Sequence, residues 1–293
     1  EDSIFYKKHT YLIPESNDSS YYMRKQPIEG LNLDNNLLFK NCQLNFEFNN
    51  CTFRGLEMYD CKFRNLWNGT VFWNCNFRDK VVSIYNCQEG RLNFTNCDFE
   101  NDNGLDMHNN TLKELIVSVC NFNYVSSSSN EGTNFCMGMN EINNFKINKC
   151  TFINETEYEA NSYSCWRNKF NKFSILNTSM GRLYFGDVKI EDNLTIDSLI
   201  CKSIHMDLLN FPPEETIFPW ETLSGNKITI VSVSGSKSFK SSDEELITRI
   251  SDYRKFLKLY NKFFHMYKDQ GDLVSANECY IEMKDLETRR LKY

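Results

Sequence analysis

Cysteine is the most chemically versatile residue of this 293-residue chain, which has twelve. Paired cysteines form disulfides in oxidising compartments, and cysteines near histidines bind zinc. Here most cysteines follow one phrase: a small polar residue, then Cys, then a large apolar residue two places on, as in Asn50-Cys51-Thr52-Phe53. Because there is no Cys-x-x-Cys motif or local His/Cys group, we expect reduced, buried thiols, no metal ligands and no cofactor. Native disulfides are the alternative.

Histidines and carboxylates offer acid–base chemistry. The four histidines are His9, His108, His205 and His265, and none lies in the nucleophile motif that a catalytic triad needs. Alternation with apolar neighbours predicts that His205 projects outward. A group of carboxylates comprises Asp187, Glu191, Asp192 and Asp197. Glycosidases use two carboxyl groups about 5 to 10 Å apart, but Asp187 and Asp192 also occupy a corner position that Asn fills elsewhere, so a turn explains them without catalysis.

The Cys phrase repeats along the chain. It recurs at Cys42, Cys51, Cys61, Cys75, Cys87, Cys97, Cys120 and Cys150. If Cys51, Cys75, Cys97 and Cys120 are equivalent, the step is about 22 to 24 residues, which is typical of a solenoid coil. Cys42, Cys61 and Cys87 then mark a second corner. Short alternating runs between the corners predict strands that bury their apolar face by stacking in parallel on neighbouring coils.

The phrase resembles a degenerate pentapeptide-repeat protein or a close β-helix relative. The regular form is local, as in Cys51-Thr52-Phe53 followed ten places later by Cys61-Lys62-Phe63. The resemblance implies a right-handed parallel β-helix across residues 30–235, in which Cys and Phe fill the interior and Asn forms the corners. We expect residues 1–29 to cap its N-terminal end, and loops to be inserted near 123–134 and 154–171. The expected fold is mainly β, a β-helix solenoid followed by an antiparallel α-helical hairpin.

The hairpin is predicted over residues 243–293. Apolar residues at helical spacing indicate one helix to about Lys268 and a second after Gly271-Asp272. This segment resembles a tetratricopeptide-like unit, and also the helical hairpin of some bacterial pentapeptide-repeat membrane proteins, through Gly271, Asp272, Ala276, Tyr280, Glu282, Arg289 and Arg290. That second resemblance implies a membrane-embedded remainder beyond Tyr293.

Aromatic residues of the hairpin exceed what two helices can bury between themselves. We therefore predict that some of them contact the solenoid end, another chain (a protein partner or a second copy) or a membrane-proximal segment. Trp166, in the second inserted loop, is added as a candidate binding residue because loops on rigid scaffolds carry binding sites. The predicted interaction residues are Tyr253, Phe256, Tyr260, Phe263, Phe264, Tyr267, Tyr280 and Trp166.

The expected function is a non-catalytic scaffold for protein–protein interaction or self-association, which includes the case of a soluble portion of a larger membrane-associated protein. The formal net charge of −6 comes from interspersed charges and gives no basic surface for nucleic acid. A carbohydrate-active β-helix enzyme and an acidic DNA-mimic inhibitor of a topoisomerase are the alternatives. The reduced thiols predict a cytoplasmic location, with the inner face of a membrane as the variant of that expectation.

Overall fold

A computed structural model describes residues 27–34, 36–63, 69–100, 104–124, 134–154, 163–208, 210–213, 215–235 and 237–293. These residues form a 24-stranded sheet, a second sheet of two strands, and four helices that follow or flank its C-terminal end. The strands pair in parallel apart from the final pair, so the predicted mainly β, parallel architecture is confirmed.

The first strands are β1 Ile28–Glu29, β2 Asn32–Leu33, β3 Leu37–Lys40, β4 Gln43–Leu44, β5 Glu47–Asn49, β6 Thr52–Phe53, β7 Leu56–Tyr59, β8 Lys62–Phe63, β9 Thr70–Trp73, β10 Asn76–Phe77, β11 Val82–Tyr85, β12 Arg91–Thr95 and β13 Asp98–Phe99. The later strands are β14 Leu105–His108, β15 Thr111–Ser118, β16 Asn121–Tyr124, β17 Phe135–Gly138, β18 Glu141–Asn148, β19 Thr151–Asn154, β20 Tyr163–Trp166, β21 Lys169–Leu176, β22 Ser179–Asp197, β23 Ile200–Leu208, β24 Glu215–Ile217, β25 Ile228–Val231 and β26 Ser238–Lys240. We call β1 to β25 the parallel stack.

Most strands of the parallel stack pair with the equivalent strand one repeat further along the chain. Thr52 pairs with Asn76, Asn76 with Asp98, and Asp98 with Asn121. The preceding residues, Cys51, Cys75, Cys97 and Cys120, are all buried, so their predicted equivalence is confirmed. This pairing is consistent with a solenoid.

Corners of the parallel stack are residues with a left-handed backbone. Asn50, Asn74 and Asn96 each have φ of 54°, a region that Asn tolerates better than most residues with a side chain. Asn side chains at equivalent corners also bond across coils, since Asn96 Nδ2 donates to Asn74 Oδ1. The predicted role of Asn at the corners is confirmed.

Stacked rings fill the interior between corners. Phe53, Phe77, Phe99, Phe122 and Phe152 form a column in which successive ring centroids lie 5.3, 5.0, 4.4 and 4.5 Å apart. Such offset stacks of buried rings contribute packing energy beyond their area alone. The apolar core therefore runs the length of the stack.

A buried asparagine ladder replaces cysteine at the second corner, which the sequence analysis did not anticipate. Cys87 N donates to Asn110 Oδ1 at 2.8 Å, Asn110 Nδ2 to Asn140 Oδ1 at 2.9 Å, and Asn140 Nδ2 to Asn168 Oδ1 at 2.9 Å. Asn140 Nδ2 also donates to Met107 O at 3.0 Å. These amides satisfy one another and the backbone in the interior, where a missing partner would be costly.

The predicted N-terminal cap and inserted loops fall largely on residues 1–26, 125–133 and 155–162, which lie outside the described residues. Ile28–Glu29 is a strand paired with β5. The second loop is shorter than predicted, because Tyr163–Trp166 and Lys169–Leu176 are strands of the stack. Tyr163 and Cys165 are buried in the core, which explains why this stretch belongs to a coil.

Four helices follow: α1 Trp220–Leu223, α2 Glu244–Thr248, α3 Ile250–Gln270 and α4 Leu273–Arg290. Gly271 has φ of 75° and ends α3, and the Asp272 side chain accepts a bond from Ser275 N at 3.1 Å to cap α4. We call α3 and α4 the helical pair. No helix among the described residues is both long enough and apolar enough to cross a membrane.

Thiol accessibility gives a first prediction. All twelve cysteines are free, and only Cys42 and Cys136 are partly exposed. Burial raises the pKa of the Cys97 and Cys120 thiols, so they resist reaction. A thiol reagent should modify at most Cys42 and Cys136 in the native protein and the remainder after denaturation; Cys42→Ser should lower the native count by one. Native disulfides, or rapid labelling of Cys97, would contradict it.

The asparagine ladder gives a second prediction. Asn140→Leu removes the partner of the Asn110 N–H, which donates to Asn140 Oδ1 at 2.9 Å, and that of the Met107 carbonyl. Unfolding by denaturant should show a loss of about 1–3 kcal/mol for each buried group left unpaired. Asn143→Leu, at an exposed position, is the matched control and should change stability by less than about 0.5 kcal/mol. Equal effects of the two substitutions would exclude a stabilising role for the ladder.

Candidate functional site

The predicted aromatic residues of the helical pair divide into buried and accessible sets. Phe256, Tyr260, Phe263 and Tyr267 are buried. Tyr253 and Phe264 are half-buried, and Tyr280 is exposed. Trp166 is half-buried in β20 and lies outside this group.

The buried set packs around Trp220, the first residue of α1. The Trp220 ring lies 5.4 Å from Tyr260, 5.7 Å from Phe263 and 6.2 Å from Tyr267, measured between centroids. Phe211 and Phe218 also contact Phe263, with ring centroids 4.6 and 5.8 Å away. The apolar face of the helical pair is thus used to cover the C-terminal end of the parallel stack.

Polar groups fix this contact. Trp220 Nε1 donates to Glu282 Oε1 at 3.2 Å, and Tyr260 OH donates to Glu282 Oε2 at 3.3 Å. Burial raises the pKa of Glu282, and the hydrogen bonds from Trp220 and Tyr260 oppose that rise. The Tyr267 hydroxyl donates to the Phe218 carbonyl. Both oxygens of a half-buried carboxylate are thereby satisfied.

Asp252 makes a second polar contact at the start of α3. Its Oδ1 accepts from Val233 N at 2.7 Å and its Oδ2 from Ser232 Oγ at 3.2 Å, while Arg249 Nη1 lies 3.6 Å from Oδ2. Near the end of α4, Arg290 donates to the carbonyl of Ile247 in α2. The helical pair is therefore bonded to the segment that links it to the stack, both just after β25 and at α2.

A different cluster lies on the outer face of the stack. Asp106 and His108 project from the same side of β14, two residues apart, and Cys136 of β17 pairs with Asp106 in register. One ligand atom from each residue lies within 4.8 Å of the others. The Tyr85 hydroxyl donates to Asp106 Oδ2, and Trp166 lies 5.6 Å from His108 between ring centroids.

Electrostatic coupling within this cluster is strong. Contact with Asp106, and then with Cys136, raises the pKa of His108 to about 9. Burial alone would raise the pKa of Asp106, but its contacts with His108 and Tyr85 together lower it. At neutral pH these two residues form an imidazolium–carboxylate pair. A transition metal ion could replace the proton of that pair, because Asp, His and Cys are all zinc ligands.

The sequence analysis named no metal ligand, and it missed this cluster because Cys136 is distant in sequence from Asp106. The Asp106-x-His108 spacing was visible, since period-2 alternation places both residues on one face. Which thiol lies beside them depends on the register between β14 and β17, and a 22- to 24-residue step does not give that register. The sequence signal for this cluster was an outward-facing Asp-x-His pair on one strand and an outward-facing Cys on a later strand.

Three of the carboxylates considered for glycosidase chemistry lie at a corner, in ion pairs or in a β-bulge. Asp187 has φ of 58°, as expected for a corner. Glu191 Oε1 lies 2.7 Å from Lys189 Nζ and 3.5 Å from Lys169 Nζ. Asp192 has no such φ: β22 has two residues, Glu191 and Asp192, opposite Asn171 of β21, which is a β-bulge. The corner interpretation holds for Asp187 and is wrong for Asp192.

Two of the histidines considered for acid–base chemistry, His205 and His265, have different structural surroundings. His205 was expected to project outward and alternates with the buried Ile204 and Met206, but it is itself completely buried. Its ring stacks on Tyr184 with centroids 4.5 Å apart, and Nδ1 lies 3.3 Å from Thr229 Oγ1. His265 is exposed on α3. His205 is thus a core residue and His265 a surface residue.

Comparison with known proteins finds no match among family models, curated proteins or solved structures. Function is therefore inferred from the two arrangements just described. One is the helical pair on the end of the parallel stack, and the other is the outer cluster around Asp106, which we call the Asp-His-Cys cluster (Asp106, His108 and Cys136).

The burial of His205 gives a third prediction. Burial, with smaller effects from Arg182 and Lys255, lowers the pKa of His205 to about 3, whereas an unfolded histidine has a pKa of about 6.5. Below about pH 6.5 the unfolded state therefore binds an extra proton, and stability should fall by up to about 1.4 kcal/mol per pH unit. Urea unfolding from pH 8 to 4.5 measures this slope. His205→Gln should flatten it, and His265→Gln should not; an unchanged slope in His205→Gln would refute the assignment.

Proposed function

We propose that this protein is a non-catalytic scaffold, a right-handed parallel β-helix of the pentapeptide-repeat type whose C-terminal antiparallel helical hairpin mediates self-association. Parallel pairing one coil apart and corners with positive φ support the β-helix. Three contacts support the antiparallel hairpin: Tyr253 with Arg290, Tyr260 with Glu282, and Phe264 with Tyr280. As residue numbers rise along α3, the contacting residue numbers fall along α4.

The proposal is based on a difference between the two faces of the hairpin. One face closes the end of the stack through Phe263, Tyr267 and their neighbours. The other face of α4 leaves large apolar side chains in solvent: Leu273, Val274, Tyr280 and Ile281 have exposed fractions of 64, 70, 42 and 66%. A group of apolar side chains on one helix face is typical of an interaction surface.

A second copy of the chain is the partner that this face suits best. Leu273-Val274 and Tyr280-Ile281 are seven residues apart and so share one side of α4. A two-fold axis near Asn277 would place the first pair of one copy against the second pair of the other, which is the arrangement of a symmetric dimer.

Two substitutions on this face test self-association. Val274→Glu with Ile281→Glu should turn a dimer into a monomer, because charged residues in an apolar interface are severely unfavourable. Sedimentation velocity over a range of concentrations measures the mass. Leu291→Glu, at an 86% exposed position near the far end of α4, is the control and should leave the mass unchanged.

Thermal unfolding and circular dichroism distinguish a loss of self-association from a loss of the fold. Since Val274 and Ile281 are mostly exposed within one chain, a substituted monomer should retain its fold and circular dichroism spectrum. A wild-type chain that is monomeric at all concentrations would refute self-association. Binding to lipid vesicles by that monomer would instead favour the membrane-associated alternative.

A further inference from the structure

We propose that the Asp-His-Cys cluster is a binding site for a divalent transition metal ion, with Zn²⁺ as the preferred occupant. The set combines a carboxylate oxygen, an imidazole nitrogen and a thiolate sulfur. Zinc is commonly bound by these three donor types, whereas Mg²⁺ and Ca²⁺ prefer oxygen alone. The inference concerns the outer face of the stack and does not depend on the proposed self-association.

Rigid strands bring the donors together. Asp106 and His108 are two residues apart on β14, and Cys136 of β17 lies next to Asp106 in the ladder. Their ligand atoms lie within 4.8 Å of one another. In a tetrahedral zinc site, bond lengths of about 2.0 to 2.3 Å place the donors roughly 3 to 4 Å apart. The separation of the three ligand atoms is therefore close to that of a zinc site.

The two oxygens of the carboxylate face two different neighbours. Asp106 Oδ2 accepts from the Tyr85 hydroxyl, and Asp106 Oδ1 lies 2.7 Å from His108 Nε2. That separation is close to the distance between two ligands of one zinc ion. The carboxylate and the imidazole are therefore already placed side by side, as two ligands of a common ion would be.

Neighbouring residues support and cover the site. Tyr85 orients the carboxylate, as the second layer of groups around a metal commonly does. A side chain at Gly138 would place its Cβ 2.5 Å from His108 Nδ1 and 2.4 Å from Trp166 Cζ2. Glycine thus makes room for both rings, and Trp166 shields one side of His108. This gives Trp166, which was selected from sequence as a binding residue, a specific position beside the cluster.

The His108 ring lies between two aromatic rings, since Tyr85 stacks on it with centroids 5.3 Å apart and Trp166 lies 5.6 Å away, yet the cluster keeps some contact with solvent. The side chains of His108 and Asp106 are 17% and 24% exposed. Three protein ligands with an accessible fourth position are typical of zinc sites that bind water or a further ligand, whereas structural sites are closed by four protein ligands. The site is therefore expected to exchange its metal and to accept a small fourth ligand.

Cobalt(II) is the test probe, because it substitutes for zinc and is coloured. The full chain, reduced with a phosphine and freed of thiol, is titrated with Co²⁺ in an absorption spectrometer. We expect one equivalent to bind, with a thiolate-to-cobalt charge-transfer band and intense visible bands that indicate fewer than six ligands. Zn²⁺ should displace the cobalt and abolish both sets of bands.

Variants separate this site from the other thiols and histidines. Cys136→Ser should remove the charge-transfer band, and His108→Gln should weaken binding by more than the about 10- to 100-fold expected for Tyr85→Phe. Cys42→Ser and His265→Gln are matched controls that should bind as the wild type does. Circular dichroism establishes that each variant is folded.

Two results would overturn the proposal. The first is the absence of stoichiometric Co²⁺ or Zn²⁺ binding by the folded wild-type chain, which would make the cluster a simple imidazolium–carboxylate pair. The second is a charge-transfer band that survives in Cys136→Ser, which would place the metal on another thiol.

Discussion

The left-handed backbone at each corner is the constraint on which the rest of the structure depends. A coil can return to stack on its predecessor only if the chain turns at the same point each time, and a residue with positive φ makes that turn. Asn meets the requirement at low cost. Val119, Met139 and Arg167 adopt φ of 56, 55 and 51° without that advantage, which indicates that pairing of the flanking strands holds them there. The corners therefore fix the register between strands of successive coils. That register in turn fixes which side chains stack on one another, both in the interior and on the outer faces of the stack.

An endless stack would need no further stabilisation, but a finite one exposes the backbone and apolar interior of its last coil. Here the chain supplies the cover itself. Phe211, Phe218 and Trp220 extend the core beyond the last coils, and α3 and α4 pack on them. Trp220 links the two helices, since its ring contacts Tyr260 while its Nε1 bonds to Glu282. The helical pair is thus an integral part of the stack's end.

Sequence periodicity was sufficient to predict the repeating part of the fold. Each Cys51-type residue is followed by an apolar residue two places later, and both face inward in every coil, so local pattern and long-range pairing agree. The Asn110, Asn140 and Asn168 ladder could not be foreseen in the same way, because Asn next to a corner reads as another corner residue. Asp192 was misassigned for a related reason: a single extra residue in β22 shifts the alternation. Apart from Trp166, which lies in β20, the predicted interaction residues lie in helices, as expected, but no spacing rule reveals which helix face meets the stack. That depended on Trp220, an isolated residue in a proline-rich excursion.

The Asp-His-Cys cluster shows how a fixed interior can place chemistry on the outside. Leu105 and Met107 are buried and pair with the buried Phe135 and Met137. Because strand side chains alternate, the residues between and after them must face outward, and their positions are as rigid as the core beneath. Substitutions at such outer positions leave packing intact, so their identities are free to vary. An outward carboxylate, imidazole and thiol on adjoining strands, with Gly138 making room for two rings, is therefore difficult to explain by packing alone. The donor geometry that a metal requires is supplied here by the same register that stacks Cys97 on Cys75.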